Sequence, residues 1–349
     1  MALPPGKISM PFSPLHEHTP FRKAASKAII LMLSGSLLVA ATAGNALAQA
    51  TYPSTTIKIV VGFPAGTVPD TLARLLADGF QVSLGQPVVV ENAVGAGGNI
   101  ATDRVAKAEP DGHTLLMAGN AALVVNPSLY AKLPFDPKKD LVPISQVAVT
   151  PNLLVVHPDV QANSVQELVA LAKAKPDELA YAHVGLGTSQ HLAAELLKIS
   201  SGIAMQGVFY RGGNTALPDL ISGRVQVCFC NIATTAPLVK DGKLRGLAVT
   251  SPTRSPIAPD LPTMQEAGFP GFSADAWFGL AAPVGTPGAV VTRLHAEVAK
   301  LLSEPSLQKT MKELGMVPRG NSPEDFAQVI ETEREYWATK IKSMGLTIQ

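Results

Sequence analysis

From Ile57 onward, short runs of β-branched and aliphatic residues alternate with longer stretches in which apolar residues return every three or four positions. The first such unit sets the pattern. Ile57-Lys58-Ile59-Val60-Val61 has the composition of a buried strand. The turn Gly62-Phe63-Pro64-Ala65-Gly66 breaks it, and Leu72, Leu75, Leu76 and Phe80 then fall at helical spacing, which predicts a helix over residues 71–84. A strand that feeds a short loop and then a helix leaves the first N–H groups of that helix without partners. It also aims the positive end of the helix dipole at whatever lies above the loop. A small anion suits that position. Asp70, at the start of the helix, is read as a carboxylate favouring the dipole rather than as a general base.

The alternation continues along the chain. Pro87 to Glu91 predicts a second strand, Gly95 to Gly98 a structural loop, and Asn99 is placed to cap a helix over residues 100–107. That loop lacks the Lys-Ser/Thr of a phosphate loop and the strict G-x-G-x-x-G spacing. Thr114 to Ala118 is a third strand ending at Gly119-Asn120, and the carboxyl end of a parallel strand makes Asn120 a candidate pocket residue. Residues 143–149 and 153–156 read as strands, with Thr150-Pro151-Asn152 between them as a crossover from one lobe to another. Ser164, with Glu167 in the capping-box position, opens a helix. A short strand over residues 179–182 then runs through His183-Val184-Gly185-Leu186-Gly187-Thr188-Ser189-Gln190-His191 into a helix carrying Leu192, Leu196, Leu197 and Ile199. This is a second strand–loop–helix connection, in which Thr188 and Ser189 add hydroxyls to free amides. Further strand ends at residues 208–214 and 225–231 bring in Tyr210 and Asn231. After a strand over residues 246–250 the chain returns to the first lobe near Trp277. The tail is helical, with Pro287, Pro305 and Pro323 at helix starts.

Composition narrows the function. The 349 residues are 46% hydrophobic, enough for one large or two medium α/β domains with real cores. Arg22, Lys23 and Lys27 precede an apolar run from Ala28 to Ala43, and Ala46-Leu47-Ala48 has the small-x-small form of a signal-peptidase site. Residues 1–48 are therefore read as a cleaved signal peptide, and the mature chain as starting near Gln49. Removing Lys7, Arg22, Lys23, Lys27 and Glu17 with that segment takes 28 basic and 27 acidic residues to 24 and 26, a net charge of −2. A near-neutral chain without a basic patch argues against nucleic acid as a partner. Cys228 and Cys230 flank Phe229 and are expected as free, buried thiols, too few for a metal site. No cofactor is expected. The histidines are scattered, and no G-x-S-x-G, H-E-x-x-H or P-loop motif occurs. Ser189 and His191, two apart at a helix start, do not face one another.

Several motifs together resemble one family. They include Phe63-Pro64-Ala65-Gly66 with Asp70, Leu84-Gly85-Gln86-Pro87-Val88-Val89-Val90-Glu91-Asn92, and Gly95-Ala96-Gly97-Gly98-Asn99-Ile100-Ala101. Pro110-Asp111-Gly112-His113-Thr114-Leu115-Leu116, Asn126-Pro127-Ser128-Leu129-Tyr130, Ser189-Gln190-His191-Leu192, residues 242–250 and Pro283-Val284-Gly285-Thr286-Pro287 belong to the same set. From Tyr52 to the C-terminal helix the chain resembles the substrate-binding proteins of tripartite tricarboxylate transporters, the Bug receptors of bacterial periplasms. The resemblance implies an α/β fold of two lobes, a type II Venus flytrap with two crossover strands. Lobe 1 would comprise residues 49–150 and 275–349, and lobe 2 residues 151–274. It implies a periplasmic, non-catalytic receptor, here expected as a monomer, that delivers a carboxylate to two membrane permease subunits. An exported enzyme using the cleft, or a receptor for a signalling partner, are the alternatives.

Carried over by position, the carboxylate would sit against Gly66, Thr67 and Val68 in the first loop and Gly185, Thr188 and Ser189 in the second. Phe63, Asn120, His183, Tyr210 and Asn231 complete the candidate set. Three departures from the family pattern bear on the ligand. Thr67-Val68-Pro69 stands where further glycine is usual, His183-Val184 where small residues are usual, and Phe229-Cys230-Asn231 where Phe-Asp-Asn is common. The lost acid removes a partner for an ammonium group, and Val68, Pro69 and Val184 add apolar surface. The expected ligand is a mono- or dicarboxylate with an apolar or aromatic body, phthalate-like rather than an amino acid.

Overall fold

Two sheets, each interleaved with helices, make up the chain from Tyr52 onward. The computed structural model describes residues 52–348 and, before them, residues 2, 6 and 9–11, so the apolar run and the cleavage site of the expected signal peptide lie outside the described residues. The first half runs β1 (Ile57–Val61), α1 (Val68–Leu84), β2 (Val88–Asn92), α2 (Asn99–Ala106), β3 (Thr114–Gly119), α3 (Asn126–Leu129) and β4 (Leu141–Thr150). The chain then passes through β5 (Asn152–Val156), α4 (Val165–Ala174), β6 (Ala180–His183), α5 (Ser189–Ser201), β7 (Gln206–Phe209), α6 (Gly213–Ile221), β8 (Val227–Asn231), α7 (Ile232–Lys240) and β9 (Arg245–Val249). It ends with β10 (Ala276–Pro283), α8 (Gly288–Ser303), α9 (Pro305–Glu313), β11 (Val317–Pro318) and α10 (Pro323–Met344). Among the described residues no helix is long and apolar enough to cross a membrane.

One sheet has the order β11-β4-β10-β3-β1-β2, the other β7-β6-β8-β5-β9. In the first, β1 is parallel to β2 and β3, while β10 is antiparallel to β3 and β4. In the second, β6 is parallel to β7 and β8, while β5 is antiparallel to β8 and β9. Pro151 alone separates β4 in one sheet from β5 in the other. Lacking an N–H, proline cannot continue a ladder, so the ribbon changes sheets there. The return crossing uses residues 250–275 and ends in β10, whose eight residues are all buried, as are the five of β5. These apolar strands read as unbroken hydrophobic runs because both faces are covered.

Local chemistry departs from expectation at three points. The first helix starts at Val68, three residues early, because Pro69 is tolerated in a first turn where its missing N–H costs nothing. Asn99 does not cap α2. Gly98, at φ 98°, occupies the cap position, a conformation that favours glycine, and Asn99 Oδ1 instead accepts a hydrogen bond from Asn126 Nδ2 at 2.6 Å. The expectation of free thiols is overturned, since Cys228 and Cys230 form a disulfide. Residues two apart on a strand share a face, and here their Cα atoms lie 5.3 Å apart, inside the range a disulfide spans.

Candidate functional site

The carboxyl ends of β1 and β6 face each other across a cavity. Phe63, Thr67, Val68, Pro69 and Asn120 line one side, and Val184, Thr188, Ser189, Gln190 and Asn231 the other. Phe278, from the returning strand β10, closes the back, and no lining residue carries a formal charge.

The arrangement of the two loops explains what this cavity attracts. Thr67 occupies the N-cap of α1 and Thr188 that of α5, yet neither side chain caps its helix. Each hydroxyl turns back and donates to the carbonyl three residues earlier, Thr67 to Pro64 at 2.6 Å and Thr188 to Gly185 at 2.7 Å. The amides at both helix starts therefore lack the side-chain oxygen that would ordinarily satisfy one of them. Two more helices begin at the same cavity. Gly212 caps α6 and Asn231 caps α7, again with no side-chain cap bond. Four helix N-termini thus converge on one uncharged pocket, each contributing partial positive charge and N–H donors.

A polar network fixes the floor. Asn152 Nδ2 donates to Ser189 Oγ at 3.0 Å and to the Ala274 carbonyl at 2.8 Å. With its oxygen engaged as an acceptor, Ser189 keeps its own proton free to donate. Asn231 Nδ2 donates to Asn152 Oδ1 at 3.3 Å, and Gln190 Nε2 to Asn231 Oδ1 at 3.4 Å. Asn120 Nδ2 donates to the Asp275 carbonyl at 3.1 Å, which leaves its own oxygen as the acceptor in the pocket. Thr250 Oγ1 donates to Asp275 Oδ1 at 2.6 Å and accepts from the Asn152 N–H at 2.9 Å, joining both crossings.

Asp70 holds the first loop in shape. Its carboxylate is 2% exposed and accepts from the Gly66 N–H at 2.9 Å, from Arg74 at 2.9 and 3.0 Å, and from Asn92 Nδ2 at 2.9 Å. Burial alone raises its pKa, but these hydrogen bonds outweigh burial and hold the carboxyl below its ordinary value. Asn92 Nδ2 also donates to the Phe63 carbonyl at 2.9 Å. A carboxylate so fully engaged is a fastener rather than a base.

The two halves meet over the cavity. Asn214 Nδ2 donates to the Gly66 carbonyl at 3.4 Å on one flank. On the other, Gly97 sits so close to Gly185 and Leu186 that a Cβ at Gly97 would lie 3.3 Å from the Leu186 carbonyl.

Of the residues singled out from the sequence, Phe63, Thr67, Val68, Asn120, Thr188, Ser189 and Asn231 line the cavity together. His183 and Gly185 face a neighbouring cavity, which also takes in Phe63. Gly66 and Tyr210 line neither. The Gly66 N–H serves Asp70, and the Tyr210 hydroxyl donates to Asp219 at 2.9 Å. Sequence reasoning passed over Gln190, Gly212, Gly213 and Phe278. The glycine pair between a strand and a helix was a usable signal for two of these. Phe278 had none, because only the return crossing brings it there.

Fold and site together define a two-lobed solute-binding receptor. The chain matches the tripartite tricarboxylate transporter family receptor, TctC, over residues 72–346, and it belongs to that family. Protein BugT of Bordetella pertussis is 37% identical over 312 residues, covering 88% of this chain and 96% of BugT. Rpa4515 of R. palustris, solved with adipate, superposes with a TM-score of 0.81 at 36% identity, over 85% of this chain and 99% of that one. MatC of Rhodopseudomonas palustris, solved with malate, gives a TM-score of 0.78 at 33% identity, over 82% and 99%. The protein is a binding receptor and not an enzyme.

Proposed function

We propose that this chain is an exported, periplasmic receptor that captures a small carboxylate between its lobes and hands it to the membrane subunits of a tripartite transporter. The observation that carries the reading is the convergence of four helix N-termini, without side-chain caps, on a pocket with no charged lining. Such a pocket favours an anion through neutral donors and dipoles. Adipate and malate in the solved relatives support the carboxylate class. In this reading the mature chain starts near Gln49 and acts as a monomer. Lobe 1 takes residues 49–150 and 275–349, and lobe 2 residues 151–274.

The ligand body is apolar or aromatic, as in a phthalate-like acid. Phe63, Val68, Pro69, Val184 and Phe278 supply the surface it packs on. No acidic side chain lines the pocket to receive an ammonium, and Cys230 is committed to its disulfide. A thermal-shift screen of the mature protein tests this. The panel spans citrate-like acids, dicarboxylic amino acids, nicotinate-like and phthalate-like compounds. A ligand at a hundred times its Kd adds about 2.7 kcal/mol to stability. Shifts with apolar-bodied acids are expected. A shift with amino acids alone would overturn the ligand class, and no shift with any carboxylate would overturn the anion reading.

A further inference from the structure

Beside the ligand cleft lies a larger cavity that the reading above leaves unused. The two share Phe63 and Val184 as a common wall. We propose that this second cavity is a distal acid subsite, and that the receptor takes an extended dicarboxylate whose far carboxylate is held by Arg211 and His183. The proposal rests on the carboxylate reading of the first cavity.

Three observations carry it. Arg211 lines the second cavity and enters no ion pair among the described residues. Its neighbours Gly212 and Gly213 line the first cavity, so one loop serves both.

His183 supplies a second donor. It is 6% exposed, and its Nδ1 accepts the Gly185 N–H at 3.3 Å. A ring nitrogen that accepts carries no proton, so the neutral ring holds its hydrogen on Nε2, which has no acceptor among the described residues. Burial lowers the pKa of His183 and pushes the adjoining His191 down to about 4, so both rings are neutral at neutral pH. The subsite thus pairs one cation with one neutral N–H donor.

The third observation is the apolar wall. Val94, Leu186 and Phe209 stand 44%, 42% and 61% exposed around this cavity. A hydrocarbon chain or a para-substituted ring running past Phe63 and Val184 would cover them.

Calorimetry on the mature protein tests the proposal with paired probes, α,ω-dicarboxylates from succinate to sebacate and the monocarboxylates of matching length. The wild type is expected to prefer the longer dicarboxylates over their matched monocarboxylates by about tenfold, the size of one charge-assisted hydrogen bond. Arg211→Gln is expected to abolish that preference while leaving monocarboxylate affinity and apo stability unchanged, and Arg211→Lys to restore part of it. The subsite is overturned if Arg211→Gln keeps the preference, or weakens mono- and dicarboxylates alike. Failure of the wild type to bind any carboxylate would instead remove the reading of both cavities.

Discussion

Glu333 offers a direct test of the electrostatics where the return crossing enters β10. This α10 carboxylate accepts the Trp277 Nε1–H at 2.7 Å, anchoring the helix to β10. Burial pushes its pKa from 4.5 up to about 7, with the Asp275 charge adding to the rise and the indole bond opposing it. Asp275 is raised to about 6 by burial, against the pull of Thr250 and Arg319. In the unfolded chain Glu333 titrates near 4.5. Between the two values the native state holds a proton that the unfolded chain releases, so stability falls as pH rises. The favourable contribution is complete below about pH 4.5 and is lost as pH passes through about 7. At roughly 1.4 kcal/mol per pKa unit, the loss is roughly 3 kcal/mol. Glu333→Gln retains an oxygen for Trp277 and removes the titration. Urea unfolding of both proteins from pH ~4.5 to ~8 should show the wild type losing roughly 3 kcal/mol relative to the variant. Parallel pH curves, or a wild type that gains on the variant with rising pH, would refute the reasoning.

Other substitutions probe the cleft itself. Asp70→Asn should cost about 2 kcal/mol at neutral pH in urea unfolding, because the charge-assisted bonds to Arg74 and the Gly66 amide weaken. Since the folded carboxyl lies below 3.8, that cost should shrink as pH falls through this range and Asp70 itself becomes protonated. Ser189→Ala should lower carboxylate affinity about tenfold by calorimetry, as the hydroxyl donor is lost and Asn152 Nδ2 loses an acceptor. Gly187→Ala places a Cβ 2.6 Å from Asn126 Oδ1 and 2.9 Å from Leu129 Cδ2, at φ +80°. It should hold the lobes apart, weaken binding at least about tenfold and raise the radius of gyration measured by X-ray scattering with ligand present.

Both cavity-lining loops were legible because their signals are local. Strand composition, a glycine-bearing turn and helical spacing sit within one short window around Thr67 and again around Thr188. What escaped depends on distant partners. Asn99 has the right residue type to cap α2, but Asn126, 27 positions away, claims its side chain and Gly98 takes the turn. Tyr210 follows the end of β7, yet Asp219, one helical stretch later, draws its hydroxyl off. The cysteine pairing hinged on a Cα separation of 5.3 Å, which the local path of β8 determines and residue spacing alone does not. Phe278 and the Asn152–Ser189 bond exist only because the chain crosses between sheets at Pro151 and again before Ala276.

The cleft's grip on its anion is written in the main chain. The Thr67 and Thr188 hydroxyls are turned away, so apart from the Ser189 hydroxyl the donors at those helix starts are amides that every residue except proline carries. Point substitutions can therefore recut the walls at Val68, Val184, Gln190 or Phe278 without erasing the capacity to hold an acid. Such a scaffold can change the shape of its walls by mutation while keeping its main-chain donors in place. The feature that makes the pocket electrically plain also makes its lineage free to diversify.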